Sequence, residues 1–67
     1  MFIFKDHLKA LRKNKGFTQK QLADLISVSE RGYQRYEAGK DLPGFEVLVK
    51  LADALGVSLD YLMGRDL

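Results

Sequence analysis

FTQKQLADLISVSERGYQRYE, Phe17–Glu37, writes one helix opening twice. Phe17 precedes the hydroxyl of Thr18, and Leu22 follows five residues after Phe17; Val28, Ser29 and Tyr33 repeat that spacing. An apolar residue before an N-cap packs against one a turn inside the helix, and the hydroxyl between them accepts a free backbone N–H. Thr18 with Gln21 adds capping-box spacing. The stretch therefore predicts two short helices in close succession, the first from Thr18 with Leu22, Ala23 and Ile26 turned inward, the second from Ser29.

Wound at about 3.6 residues per turn, the second helix carries Tyr33 and Tyr36 on one side and Arg31 and Arg35 on the opposite side. The tyrosines are the bulkiest apolar groups and should face the core. Both arginines then point outward, with Ala38 close by and Gln34 at the edge. Gly32 weakens this helix by roughly 1 kcal/mol relative to alanine. Close approach of the backbone to a ligand and a tolerant first turn both account for it.

Working outward, Phe4, Leu8 and Leu11 form a stripe that Gly16 can end in the left-handed conformation. Pro43-Gly44 precedes a second stripe of Phe45, Leu48, Val49, Ala52 and Leu55, ended by Gly56. Val57, Ser58 and Leu62 repeat the opening a third time. No run alternates as a strand would. The expectation is an all-α fold of five helices in one domain, residues 1–67.

The composition narrows the function. Without cysteine and with His7 as the lone histidine, neither a thiolate nor a histidine metal site can be assembled. No nucleophile, base and orienting group occur at useful spacing, which argues against an enzyme and against a cofactor. The apolar runs fall far short of the roughly 18 residues of a membrane span, and MFIFKDHLKALRK lacks a signal-peptide core, so a cytoplasmic protein without membrane contact is expected. Residues 1–40 carry nine Lys/Arg against four Asp/Glu, and residues 41–67 two against five, so +5 and −3 sum to the net +2. A basic half suits a polyanionic partner, although solvated helix faces give the same count.

Gln19, Leu22, Ala23, Val28, Tyr33 and Tyr36 have the spacing of a helix-turn-helix, in which two short helices cross steeply over a small residue, here Ala23. Together with LRKNKGFTQKQLA, RYEAGKDLP and LVKLADALGVSLDYL, they make the chain resemble the phage-repressor (Cro/CI-like) helix-turn-helix family over roughly residues 4–63. The resemblance implies a compact five-helix, lambda-repressor-like domain that binds double-stranded DNA, its third helix in the major groove and its second across the backbone. It places Ser29, Glu30, Arg31, Gln34 and Arg35 at base edges, and Thr18, Gln19 and Lys40 at the DNA backbone. It also pairs Arg12 with Glu37 as a structural ion pair joining the first and third helices. Ser27 departs from the family, which usually has glycine in that turn; Gly44 stands where serine is common.

Arginine suits guanine, glutamine adenine, and glutamate cytosine; a bridge from Glu30 to an arginine, holding it in place, is an equal alternative for that residue. The implied function is a sequence-specific transcriptional regulator, a repressor acting as a homodimer on a two-fold-related operator, with no small-molecule effector. Leu59, Met63 and Leu67 are candidates for the dimer surface. The alternative is a protein-interaction module on the same scaffold that does not read DNA. Apolar anchors on the outer face of the third helix would favour it.

Overall fold

The computed structural model describes residues 1–65. The expected dimer-surface residue Leu67 lies outside the described residues. Among the described residues five helices follow one another: α1 (Phe4–Asn14), α2 (Gln19–Leu25), α3 (Glu30–Glu37), α4 (Phe45–Leu55) and α5 (Leu59–Leu62). No described residue is in a strand, and no helix is long and apolar enough to cross a membrane.

The repeated sequence opening corresponds to a repeated local structure. Thr18 Oγ1 accepts the Gln21 N–H at 3.0 Å while Gln21 Oε1 accepts the Thr18 N–H at 2.9 Å, a complete capping box. Ser29 Oγ accepts the Gly32 N–H at 2.9 Å and Ser58 Oγ that of Tyr61 at 3.0 Å. Phe17, Val28 and Val57, which precede the three caps, are partly buried against the core.

Helix ends repeat as well. After α2, the Ser27 N–H bonds to the Asp24 carbonyl at 3.3 Å and the Val28 N–H to that of Ala23 at 3.0 Å. This is the double closure in which one residue turns left-handed. The same pair of bonds closes the other four helices around Gly16, Gly39, Gly56 and Gly64. Ser27 thus does at φ +60° what glycine does at the other four ends, at φ +69° to +78°. A Cβ is crowded there, at a cost of about 1–2 kcal/mol.

Leu8, Leu22, Ala23, Ile26, Tyr33, Leu51, Ala52, Leu55 and Leu62 form the core. Burying each leucine or isoleucine contributes about 1.5–3 kcal/mol. α3 packs on α1 and α2, with fully buried Ala23 part of this core, while α4 also packs on α2. The expectation for α4 needs correction. Phe45 is 70% exposed and Val49 lies at the surface, whereas Leu51, absent from the expected stripe, is fully buried. α4 settles on Leu48, Leu51, Ala52 and Leu55, an equally good helical spacing that seats two leucines and an alanine among the other core side chains.

Candidate nucleic-acid interface

The site begins with what fixes α3 from beneath. Tyr33 is fully buried, and the half-buried Tyr36 ring meets it edge-on, with centroids 6.3 Å apart. At the end of α3, Glu37 turns inward, its side chain only 4% exposed. It accepts from Arg12 Nε at 2.6 Å, Arg12 Nη2 at 3.2 Å, Gln19 Nε2 at 3.0 Å and the Tyr33 hydroxyl. Arg12 Nη1 also donates to the Phe17 carbonyl at 2.8 Å. One carboxylate thereby joins α1, the start of α2 and α3. Among the described residues, no buried side-chain nitrogen or oxygen lacks a partner.

Burial pushes the Glu37 carboxyl toward a higher pKa. The hydrogen bonds from Arg12, Tyr33 and Gln19, with the charge of Arg12, outweigh it and hold the group below the ordinary carboxylate range. The Tyr33 phenol goes the other way, raised far above its ordinary value by burial and by its bond to Glu37. This cluster is a neutralised internal brace.

The opposite face of α3 carries no apolar side chain larger than alanine. Ser29, Glu30, Arg31, Gln34 and Arg35 are all exposed, as is Ala38. Ser29 uses its oxygen as the N-cap and keeps its O–H free to donate. Arg31 has no ion-pair or hydrogen-bond partner among the described residues. Arg35 is held by Asp41, its Nε 2.6 Å from one carboxylate oxygen and its Nη2 3.4 Å from the other. That bond, with the Arg35 charge, lowers the Asp41 pKa.

Thr18 is exposed at the start of α2, and Gln19 is half-buried with its amide on Glu37. Lys40 is exposed in the turn leaving α3. The structure leaves the five expected base-facing residues exposed along α3 and at its N-cap, with Thr18 and Lys40 exposed at the start of α2 and beyond the end of α3.

Two neighbours escape the sequence reading. Asp41 sits in a turn whose fold no periodicity reveals. Lys5 crosses from α1 to the turn after α3, so that a Cβ on Gly39 would lie 2.8 Å from its Cδ. Among the described residues no group of three His, Cys, Asp or Glu could hold a metal ion.

Comparison with known proteins places this arrangement. The family model described as Helix-turn-helix matches residues 8–62. The chain is 49% identical over 61 residues to the cryptic phage CTXphi transcriptional repressor RstR of Vibrio cholerae, covering 91% of this chain and 54% of that protein. It is 41% identical over 61 residues to the SPbeta prophage-derived HTH-type transcriptional regulator YonR of Bacillus subtilis, covering 91% and 56%. The chain thus spans about half the length of these curated relatives. Among solved structures, the P22 c2 repressor in complex with a synthetic operator superposes with a TM-score of 0.90 at 29% identity, covering 98% of this chain and all of that one.

Proposed function

This chain belongs to the helix-turn-helix family, in its phage-repressor (Cro/CI-like) branch, and on that premise we propose that it is a sequence-specific double-stranded DNA-binding regulator, acting as a repressor. The observation that carries the reading is the outer face of α3. It presents Arg31, Gln34 and Arg35 with no aliphatic residue larger than alanine, while the inner face is buried through Tyr33 and fastened through Glu37. An interaction module would need apolar anchors on that outer face, and it has none. A helix braced on one side and studded with hydrogen-bond donors on the other suits the major groove.

In this reading α3 enters the groove, with Ser29, Glu30, Arg31, Gln34 and Arg35 at base edges. Thr18 and Gln19 contact the DNA backbone at one end of the interface and Lys40 at the other. The Glu37 bond orients the Gln19 amide and leaves its second N–H for a phosphate. Binding is non-enzymatic, without a cofactor.

The protein binds as a homodimer on two half-sites about 34 Å apart, one turn of the duplex. The body measures 28 × 23 × 22 Å, a size that lets one copy sit on each half-site. An apolar groove lined by Phe4, Leu42, Pro43, Leu48 and Met63 opens beside the α3–α4 connection and supplies the contact. Of the sequence candidates, Met63 is at this groove and exposed, whereas Leu59 is half-buried against the core.

Selection from a randomised duplex pool tests the reading. A two-fold-symmetric site should be enriched, with at least one G·C pair in each half. No enrichment, together with no binding at low salt, would overturn it.

A further inference from the structure

Of the two arginines on the outer face of α3, the fold ties down one. Asp41 occupies the Nε/Nη2 edge of the Arg35 guanidinium, at 2.6 and 3.4 Å. The backbone brings Asp41 within reach, because the N–H groups of Lys40 and Asp41 both point at the Arg35 carbonyl, at 3.0 and 3.4 Å. The turn thus folds back onto the last turn of α3. Both side chains remain about half exposed, at 47% and 49%, and ion pairs of that kind add little to stability. The pair therefore calls for a reason other than holding the fold.

A guanidinium has two edges able to bond bidentately, and its five N–H donors lie in one plane. With Asp41 on the side edge, the end edge, Nη1 with Nη2, remains to meet an acceptor pair such as guanine O6 and N7. The neighbouring carboxylate also cancels the charge that would draw an unpaired arginine to any phosphate. Directional hydrogen bonding persists, and indiscriminate attraction falls. Arg31, one turn earlier, has no such partner among the described residues.

We propose that Asp41 is a specificity-determining positioning residue, which presents Arg35 to DNA by its end edge alone and suppresses its pairing with phosphates. The proposal rests on α3 facing DNA. It assigns the turn after α3 a part in base selection although Asp41 itself need touch no base.

The test uses the full chain, with fluorescence anisotropy on the duplex that wild type selects, on duplexes substituted at each G·C pair, and on a random duplex, over a series of salt concentrations. Asp41→Asn should bind the random duplex several-fold more tightly and steepen the dependence of log affinity on log salt by about one, as one further phosphate contact would. Its preference for the selected site over the random duplex should fall by about tenfold. In an Arg35→Ala background, Asp41→Asn should leave base preference unchanged. If Asp41→Asn keeps the wild-type preference, or shifts it equally with and without Arg35, the proposal is overturned while the DNA-reading role of α3 stands. If wild type selects no site, both fall together.

Discussion

Arg12 and Glu37, 25 residues apart in sequence, meet at 2.6 Å on the inner side of α3, with the Arg12 side chain 10% exposed and that of Glu37 4%. The pair stands in for apolar packing at the junction of α1, α2 and α3. Removing one partner of such a pair leaves an uncompensated charge and costs about 3–5 kcal/mol. Arg12→Ala should therefore lower the melting temperature by more than about 10 °C, at about 4–8 °C per kcal/mol for a domain of this size. Circular dichroism melts check this; an unchanged melting temperature contradicts the bracing role.

The same cluster sets an acid limit. The Glu37 pKa is depressed in the folded chain, so the unfolded chain binds more protons in acid. Its contribution to stability is fully present above the unfolded value of about 4.3 and is lost as pH falls through the lower folded value. Glu37→Gln should be less stable than wild type near neutrality, with the gap narrowing below about pH 4. Urea titrations at several pH values measure that gap, and a constant gap would show that the carboxylate charge is irrelevant.

Ser27 offers a gain. It occupies the left-handed position that glycine fills at the other four helix ends. Ser27→Gly should stabilise the domain by about 1 kcal/mol with unchanged base preference, since the strain removed is of that order. A lower melting temperature would mean that the serine side chain compensates for its backbone.

Leu42, 80% exposed beside α3, is the sharpest probe of dimerisation. Leu42→Asp should leave the stability within about 0.5 kcal/mol of wild type, as surface changes do. It should also weaken binding to a two-half-site duplex much more than to a single half-site. Equal weakening of both would remove the apolar groove from the interface.

Much of this was legible in the chain. Three helix openings could be placed because a hydroxyl between spaced apolar residues has a local meaning, and Thr18, Ser29 and Ser58 each cap as expected. The inward tyrosine and outward arginines of α3 followed from its wheel. α4 was harder, because FEVLVKLADAL is apolar at eight of eleven positions and several stripes fit it. Packing against the rest of the core selects Leu51 over Phe45. Asp41 was invisible for a different reason: its meeting with Arg35 depends on how a turn closes, and no periodic pattern records that. The Gln19 bond to Glu37 likewise joins two helices whose approach is set by Ala23 and the core around it.

Whether α3 reads bases is decided by pairing a protein change with a base change. Anisotropy titrations of wild type and Arg31→Ala, each on the selected duplex and on duplexes altered at single G·C pairs, give the coupling between side chain and base. Wild type should discriminate each read position by about 1–3 kcal/mol. Arg31→Ala should lose that discrimination at one position in each half-site and keep it elsewhere. If Arg31→Ala discriminates as wild type does at every position and only binds more weakly, Arg31 is a phosphate contact and α3 does not read bases through it.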